Sequence, residues 1–372
     1  MVVDVKDLLR MAVERGASDL HLGFERPPYL RIDGQLEPTD LPILTEEDLE
    51  AIGRQLLTAK REHLLEERDE LDFSFRAPGI EGRFRVNFFR QRGTLAYAIR
   101  HVKTRIPSFE ELNLPPILAQ LALRPRGLII VTGTTGSGKS TTLATMMEYI
   151  NQRRPYHILT VEDPIEYVFY DKKAVINQRE IGLDTQDFPS ALRTMLREDP
   201  DVVMIGEMRD RESIMAAITA AITGRLLMTT LHTMDVVQTL NRIVEYFPPE
   251  FQNQIRIMLA TTLEGIICQR LLPMVGGGRI PAVEVLVATA RIRELITEGE
   301  SLSAIRQAME EDEFEGMQTF DQHLYQLYSD GKITYETALQ AASSPHDFKL
   351  FVRQKSLRKA RTEFHGGIAG RE

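Results

Sequence analysis

Apolar residues in the N-terminal part of the chain follow two patterns, one typical of helices and one typical of strands. A helical period ends at Gly16, and a second one begins at Thr45, the predicted N-cap, and runs to about Glu67. Alternation with a period of two in SDLHLGF, PPYLRIDGQLEP and three later segments predicts strands that bury one face. Asp33-Gly34 predicts a hairpin turn. We therefore expect a small α+β domain with an antiparallel sheet.

The middle of the chain differs, because its apolar runs are continuous and are separated by helical periods. Four such runs predict buried strands, at 127–133, 157–163, 201–207 and 225–232. Helices are predicted from about Lys139, over 187–199, and in an Ala-rich segment that stops at Gly224. Buried strands that alternate with helices are typical of a parallel sheet covered on both faces. The segment 290–344 is predicted to be helical.

These changes of pattern divide the chain into four predicted parts. We expect an N-terminal domain over 1–105, a proline-containing linker over 106–120, a second domain over 121–344 and a basic tail over 345–372. The tail contains KLFVRQKSLRKARTEF, in which six basic residues accompany one carboxylate. Such a segment is either a solvated tail or a contact for an acidic partner or an anionic membrane surface, and both interpretations stay open.

Length and composition predict a folded, soluble protein with more than one domain. The chain has 372 residues, of which 43% are hydrophobic and 27% are charged. No apolar run reaches the roughly 18 residues that would cross a bilayer, and acidic residues interrupt the N-terminal apolar stretch, which is therefore not a signal peptide. A single cysteine excludes an internal disulfide and a four-cysteine zinc site. This fits a reducing compartment, so we expect the protein in the cytoplasm.

Charge and histidine spacing argue against two further classes of protein. The net charge of −9 makes nucleic acid a poor partner, and none is expected. Eight histidines are present, but His21, His63, His101 and His157 are widely separated and show no metal-binding spacing. We predict no metal site built from histidines.

The segment GTTGSGKSTTL fits the pattern of a phosphate-binding P-loop. A predicted strand precedes Gly133-x-x-x-x-Gly138-Lys139-Ser140 and a helical pattern follows it, which is the context that this motif requires. Backbone N–H groups and the helix N-terminus would bind the phosphates, Lys139 would reach the β- and γ-phosphates, and Ser140 would hold Mg²⁺. The sequence thus predicts ATP and Mg²⁺ as ligands. The predicted nucleotide-binding residues are Gly133, Thr134, Thr135, Gly136, Ser137, Gly138, Lys139, Ser140 and Thr141.

Carboxylates follow two of the predicted strands, where the ligands of a parallel sheet bind. DVVMIGE resembles a Walker B strand, although Gly206 stands at the usual aspartate position and Glu207 is the acid. Glu207 would hold Mg²⁺ through water or orient the attacking water. EDPIE supplies Glu162, Asp163 and Glu166, any of which could position that water. Asp163 and Glu166 could instead cap the turn or helix that follows.

The sequence resembles the type IV pilus retraction ATPases, the PilT/PilU twitching-motility branch of the secretion-ATPase superfamily. The resemblance runs from about residue 5 to 348 and rests on blocks in a fixed order. These blocks are GASDLHL, PPYLRIDGQL, the P-loop, TVEDPIEYV, NQREIGLDT, ALRTMLREDPDVVMIGEMRD, TTLHT and GMQTFDQHLYQLY. The resemblance implies a PAS-like N-terminal domain, a RecA-like second domain and a hexameric ring, with ATP bound between the two domains and against a neighbouring subunit.

The resemblance also implies roles for individual residues. Glu166 would be the general base, with Glu162 as the fallback, and Glu207 and His232 would take the Walker B and His-box roles. Two arginines of the N-terminal domain, Arg83 and Arg100, would complete the site and stabilise charge that builds on the γ-phosphate. Either arginine could instead be an ordinary surface or sheet-edge residue. The predicted catalytic residues are Glu166, Glu207, Glu162, His232, Arg83 and Arg100, and the predicted metal ligands are Ser140 and Glu207.

Two departures from the family pattern bear on movement rather than on nucleotide binding. The family's His box begins Thr-Gly-His, whereas this chain has Arg225 after Thr223-Gly224, and arginine cannot accept a hydrogen bond or switch charge near neutral pH. The family's AIRNLIRE motif, linked there to retraction, appears as RIRELITE over 291–298, and three positions differ. Retraction is therefore less firmly predicted than ATP hydrolysis.

The resulting prediction is a hexameric motor that hydrolyses ATP to power pilus retraction. The expected partners are a membrane platform protein and a second retraction ATPase, and the expected place is the cytoplasmic side of the inner membrane at the pilus base. Pilus extension and secretion ATPases commonly add an N-terminal domain and a four-cysteine zinc module, neither of which this sequence shows. An accessory or weakly catalytic ring subunit stays open because of Arg225. A DNA motor shares the RecA core, but the acidic composition argues against it.

Overall fold

The computed structural model describes residues 4–32, 34–57, 63–80, 82–102, 105–195, 197–299 and 302–366. The chain divides into two compact units that interleave in sequence. The first unit comprises Met1–Ile106, Val161–Tyr170 and Gln178–Asp187. The second comprises Pro107–Thr160, Asp171–Asn177 and Phe188–Glu372.

The first unit contains a six-stranded antiparallel sheet in the order β3-β2-β1-β6-β5-β4. Its strands are β1 (Asp19–Leu22), β2 (Tyr29–Ile32), β3 (Gln35–Pro38), β4 (Glu70–Phe75), β5 (Arg83–Gln91) and β6 (Thr94–Val102). Its helices are α1 (Val5–Glu14), α2 (Glu46–Leu56) and α3 (Leu64–Glu67). This is the PAS-like α+β domain that the sequence predicts.

Local sequence explains how the helix α2 begins. Thr45 is the N-cap of α2 and forms a capping box with Asp48, which confirms the predicted start of this helix. The predicted extension to Glu67 is wrong in detail, because α2 ends at Leu56 and a separate short helix follows. At the predicted hairpin between β2 and β3, Asp33 lies outside the described residues, and Ile32 pairs with Gln35.

The second unit is built on a seven-stranded sheet in the order β13-β12-β7-β11-β10-β8-β9. The strands are β7 (Gly127–Thr132), β8 (His157–Glu162), β9 (Val175–Glu180), β10 (Val202–Ile205), β11 (Leu226–Leu231), β12 (Leu263–Pro273) and β13 (Arg279–Val287). The pairs β10–β11, β11–β7 and β7–β12 are parallel, and β12–β13 is antiparallel. Every residue of β7 and β11 is buried, so helices or loops cover both faces of the sheet. This is the predicted RecA-like architecture.

Helices connect these strands and form the C-terminal part of the unit. They are α4 (Ile117–Ala122), α5 (Lys139–Asn151), α6 (Phe188–Met195), α7 (Arg211–Ile222), α8 (Val236–Glu245), α9 (Pro249–Thr262), α10 (Ala290–Glu298), α11 (Leu302–Glu311), α12 (Phe320–Ser329), α13 (Tyr335–Ala341) and α14 (Pro345–Gly366), with a 3₁₀ turn at Glu313–Glu315. The predicted basic tail is therefore helical as far as Gly366. Among the described residues, no helix combines the length and apolar character needed to cross a membrane.

Candidate nucleotide-binding site

The loop that follows β7 has the backbone conformation of a phosphate cradle. Gly133, Gly136 and Gly138 all have positive φ, at 144°, 80° and 96°, which side-chain-bearing residues rarely adopt. Gly138 is also the N-cap of α5, so the helix N-terminus opens into the loop. At Gly133 a Cβ atom would collide with the Gln269 carbonyl oxygen and would lie 2.6 Å from Ser137 Oγ. Glycine is thus required at this position by both conformation and space.

Lys139 lies buried inside the curve of this loop. The residue is 8% exposed. Its Nζ donates to the carbonyl oxygens of Gly133 at 2.9 Å and Thr134 at 3.1 Å. Thr134, Thr135 and Gly136 are exposed at the tip of the loop. A buried ammonium group beside the N-terminus of α5 creates a site that favours anions. The structure thus brings together the residues that the sequence assigns to phosphate binding.

A chain of threonine hydroxyls anchors the start of the loop from behind. The Thr132 hydroxyl donates to the carbonyl oxygen of Thr233 at 2.7 Å and accepts from its N–H at 2.9 Å. The hydroxyls of Thr233 and Thr239 lie 2.6 Å apart. These bonds tie the end of β7 to the turn between β11 and α8, and hold the loop and that turn in one arrangement.

A buried carboxylate contacts the start of α8, the helix that contains Thr239. Glu284 is 3% exposed, pairs in register with Cys268, and accepts a hydrogen bond from Val236 N–H at the start of α8, at 2.9 Å. Burial raises the pKa of Glu284 to about 7, against the lowering effect of the Val236 bond. Burial likewise raises the pKa of the Cys268 thiol, so that this cysteine is a poor nucleophile.

Glu207 and His232 come together at the same edge of the sheet as the loop. Glu207 follows β10 and His232 follows β11, and His232 Nε2 lies 3.2 Å from Glu207 Oε1. Arg209 Nε donates to the other oxygen of Glu207 at 2.9 Å. The Thr230 hydroxyl donates to Gly206 O at 2.6 Å, and this bond holds β10 beside β11 where Glu207 begins its turn. The Glu207 carboxylate thus lies between a histidine and an arginine.

The oxygen donors of this edge fit a magnesium ion. Mg²⁺ prefers hard oxygen ligands, usually one or two from the protein together with substrate phosphates. Ser140, half-buried in the first turn of α5, and Glu207, whose side chain is 20% exposed, offer a hydroxyl and a carboxylate of this kind. Both residues follow strands that end at one edge of the sheet. Binding of Mg²⁺ by Ser140 and Glu207 stays a prediction.

Glu162 and Glu166 belong to the first unit and differ in exposure. Glu162 ends β8, is 5% exposed, and accepts from Gln178 Nε2 at 3.1 Å. The backbone nitrogen of Glu166 lies 3.4 Å from Glu162 Oε2. Glu166 itself is an exposed residue. A turn with a cis Asp163–Pro164 peptide separates the two glutamates. A general base must reach a water molecule, so exposure favours Glu166 over Glu162.

Both predicted arginines have carboxylate partners within the first unit. Arg83 begins β5, and its Nη2 lies 3.7 Å from Oε2 of the buried Glu180. Arg100 is on β6, and its Nε lies 2.9 Å from Asp19 Oδ1, with 65% of its side chain exposed. Phosphate binding by Arg83 or Arg100 stays a prediction.

Arg225 lies at the opposite edge of the sheet from the loop. It precedes β11, and its carbonyl oxygen accepts from Gly127 N–H, at the first residue of β7. Its Nη1 donates to the Thr223 hydroxyl at 3.0 Å. The altered His-box position is therefore remote from the P-loop of its own chain.

The altered AIRNLIRE-like segment forms α10, which begins after its N-cap Thr289. Arg293, one of the matching positions, donates to Ala260 O at 2.6 Å and to Glu264 Oε1 at 2.9 Å. Arg291 stands at one of the differing positions, and its Nη1 lies 2.9 Å from Glu311 Oε2. The matching arginine therefore ties α10 to the end of α9 and the start of β12, and the differing one ties it to α11.

Sequence reasoning missed several residues that support the site. Thr132 directly precedes the P-loop and Thr233 ends TTLHT, and only the strand order brings these two residues together. Arg209 lies two residues after Glu207, so its contact is local. Glu180 stands in NQREIGLDT, one of the blocks that carry the family resemblance. No local signal marks Glu180 as buried, because polar residues interrupt the strand that it ends.

Comparison with known proteins places these features in a family. A family model of the type II/IV secretion system proteins matches residues 1–276. The chain is 42% identical over 346 residues to the type IV pilus retraction ATPase PilT of Pseudomonas aeruginosa, which covers 93% of this chain and 100% of that protein. It is also 42% identical over 353 residues to the type IV pilus ATPase PilU of the same organism, with coverage of 94% and 92%.

A solved structure agrees with the fold over most of the chain. The crystal structure of the pilus retraction motor PilT with bound ADP matches with a TM-score of 0.86 and 47% identity. The match covers 93% of this chain and 98% of that one. It supports the predicted order of a PAS-like domain followed by a RecA-like domain.

Proposed function

The chain belongs to the type II/IV secretion system protein family, and we propose that it is a hexameric motor ATPase that powers type IV pilus retraction. The observation that carries this proposal is the loop over 133–141, in which left-handed glycines surround a buried Lys139 ammonium group. Its relatives include a retraction ATPase and a retraction motor solved with ADP. The same chemistry in this chain would bind ATP.

In the proposed reaction, water attacks the γ-phosphorus of ATP and the bond to the ADP oxygen breaks. Lys139 and the loop amides bind the phosphates, and Glu166 accepts the proton of the attacking water. Mg²⁺, held by Ser140 and Glu207, would neutralise part of the phosphate charge. Arg83 and Arg100 offset the charge that develops in the transition state. Glu162 is the alternative base.

The proposed setting is the cytoplasmic side of the inner membrane, at the pilus base. There a ring of six chains would act on a membrane platform protein, so that pilin subunits leave the fibre. ATP can shift the equilibrium between two conformations only by the difference in its affinity for them. A motor therefore needs contacts to the γ-phosphate that differ between conformations, and charged side chains such as Arg83 and Arg100 are suited to make them.

An accessory ring subunit is a second candidate, because the chain is 42% identical to PilU as well as to PilT. Arg225, in place of the family histidine, is compatible with this alternative. The two candidates differ in what the chain does alone. A principal motor supports retraction without a second ATPase, whereas an accessory subunit requires one.

Gene deletion followed by counting of surface pili tests the biological role. Surplus pili with lost crawling indicate retraction, and bald cells indicate extension. If this chain cannot support retraction in a strain that lacks the second retraction ATPase, the accessory role is indicated. Purified Glu166→Gln tests the chemistry, since it should bind ATP but hydrolyse it about 100-fold more slowly. A larger effect in Glu162→Gln would reverse the assignment of the base.

A further inference from the structure

Glu180 is a buried carboxylate whose two oxygens are both occupied within the first unit. It ends β9 and is 1% exposed. Its Oε2 accepts from the Ser74 hydroxyl at 2.5 Å and from Ile165 N–H at 3.2 Å, and its Oε1 accepts from Ser74 N–H at 3.2 Å. Arg83 Nη2 lies 3.7 Å from Oε2. Donors from three separate segments thus converge on one side chain.

Such a carboxylate is costly to bury unless its partners compensate for lost water. The desolvation of a charged group costs several kcal/mol, and hydrogen bonds to the charged form together with an opposite charge offset it. Glu180 has both kinds of partner, and its bonds are of the charge-assisted type, which is stronger than neutral pairs. An apolar residue would fill the same space without this cost. The contacts, rather than the packing, therefore account for a glutamate at this position.

The partners of Glu180 join the N-terminal sheet to the turn that carries the proposed base. Ser74 lies on β4 and Arg83 begins β5, so both belong to the antiparallel sheet. Ile165 lies in the turn between Glu162 and Glu166 and directly precedes Glu166. Ser74 and Glu180 are 106 residues apart in sequence. One side chain thus connects two parts of the chain that are distant in sequence.

Neighbours of Glu180 hold the same turn from its other side. Ile181 N–H donates to Glu162 O at 2.9 Å. Gln178 Nε2 donates to Glu162 Oε1 at 3.1 Å and to Tyr167 O at 2.8 Å. The segment 178–181 therefore contacts the turn at Glu162, at Ile165 and just after Glu166. Glu180 is the member of this segment that also bonds to the sheet.

We propose that Glu180 is a positioning residue, which fastens the turn that carries Glu162 and Glu166 to the N-terminal sheet. This inference rests on the proposed ATPase function. Glu180 is not itself a base, because protein donors occupy both of its oxygens and its side chain is buried. The same carboxylate also holds Arg83, so one residue sets the position of a proposed base and of a proposed phosphate-binding arginine.

Three variants of purified full-length protein and one control test this role. Glu180→Ala removes every contact of the carboxylate, Glu180→Gln retains an acceptor and the side-chain shape, and Ser74→Ala removes one donor. Glu148→Ala is the control, since Glu148 is a half-buried carboxylate that accepts hydrogen bonds from Asn151 and Gln152, but in the second unit. Measurements are kcat, KM, affinity for ADP, thermal unfolding, and hydrogen–deuterium exchange of the peptide over 161–170.

We expect Glu180→Ala to lower kcat about 10- to 100-fold while ADP affinity stays within about threefold, because a displaced base affects the chemical step. Exchange over 161–170 should become faster. Glu180→Gln should recover most of kcat, and Ser74→Ala should have an intermediate effect. Glu148→Ala should leave kcat and exchange over 161–170 unchanged. If Glu180→Ala does not fold, Glu180→Gln and Ser74→Ala still give the ordered series of kcat values and exchange rates.

Two results overturn the inference. One is a folded Glu180→Ala with wild-type kcat, which makes the contact structural only. The other is exchange over 161–170 that is unchanged in all three variants, which shows that Glu180 does not hold the turn. The exchange measurement needs no catalysis, so it decides the fastening even if wild-type protein hydrolyses no ATP. In that case the proposed function fails while the fastening is tested separately.

Discussion

Arg225 and His232 stand at opposite ends of one strand, although the family pattern groups their positions in one box. The strand β11 (Leu226–Leu231) lies between them and pairs in parallel with β7, which leads into the P-loop. Six strand residues span about 20 Å at the usual rise per residue. His232 is at the P-loop edge, 3.2 Å from Glu207. Arg225 is at the other edge, and cannot reach nucleotide bound to its own loop.

This separation predicts different effects for substitutions at the two positions. Arg225→His should change ADP affinity and basal turnover by no more than about twofold, as is usual for surface substitutions remote from a site. His232→Ala removes a partner of Glu207 and should lower kcat about tenfold or more. Steady-state kinetics and fluorescent-ADP titration of both variants check this. Equal effects of the two substitutions would contradict the placement of Arg225.

Gly133 and Gly136 offer a matched pair for testing the loop. Alanine at Gly133 would be strained at φ 144°, and its Cβ would collide with the carbonyl oxygen of Gln269. We therefore expect the free energy of unfolding to fall by more than about 2 kcal/mol, and we expect no measurable nucleotide binding. Alanine at Gly136 would also be strained, at φ 80°, but its Cβ would have no atom within 4 Å. We therefore expect the free energy of unfolding to fall by about 1–2 kcal/mol.

Denaturant unfolding and ADP titration compare the two loop variants. Gly136→Ala is the control for backbone strain alone, because it lies in the same loop and is exposed at its tip. Retained ADP binding in Gly133→Ala would show that the loop accommodates the added methyl group, and that the close approach of Gln269 is unimportant.

Glu284 predicts a dependence of stability on pH. Its pKa is about 7 in the folded protein against 4.5 as the ordinary value, because of burial. The folded state therefore binds the proton more tightly, and stability from this group is full below about pH 4.5 and is lost as pH rises to about 7 and beyond. Asp235 opposes the charged form, and Arg306 and Arg270 favour it. By pH 8 the free energy of unfolding has fallen by on the order of 3 kcal/mol because of Glu284.

Glu284→Gln should avoid this loss, since an amide can still accept from Val236 N–H. We expect the difference in melting temperature between variant and wild type to grow by several degrees from pH 5 to pH 8, at about 2–4 °C per kcal/mol. Glu315→Gln, at an exposed position, is the control and should follow the wild-type profile. A difference that stays constant with pH would show that Glu284 keeps the same charge throughout this range.

Much of the fold follows from local pattern, and the exceptions have identifiable causes. The four runs of continuous apolar residues appear as β7, β8, β10 and β11, because strands buried on both faces leave this signature. The strands β9, β12 and β13 were not predicted. Polar residues interrupt β9, whereas β12 and β13 flank the glycine turn Gly276, Gly277 and Gly278. Helices α8 and α9 were likewise not assigned.

The candidate site likewise has one part that the sequence predicts and another part that it does not. Motif spacing predicts the loop residues, because their neighbours in sequence supply the geometry. The contacts of Glu180 with Ser74 and of Glu284 with Val236 join residues 106 and 48 apart, and only strand order and register bring them together. No local pattern carries that information, so sequence reasoning left Arg83 without its carboxylate partner.

The most direct test of the account is release of inorganic phosphate from ATP by purified protein and by Lys139→Ala. Lys139 donates to two loop carbonyls, so thermal unfolding must first show that the variant is folded. We predict Mg²⁺-dependent turnover by the wild-type protein and a loss of at least about 100-fold in the folded variant. Equal turnover by the two proteins, or no turnover and no ADP binding by an oligomeric wild-type sample, would contradict the assignment of the loop.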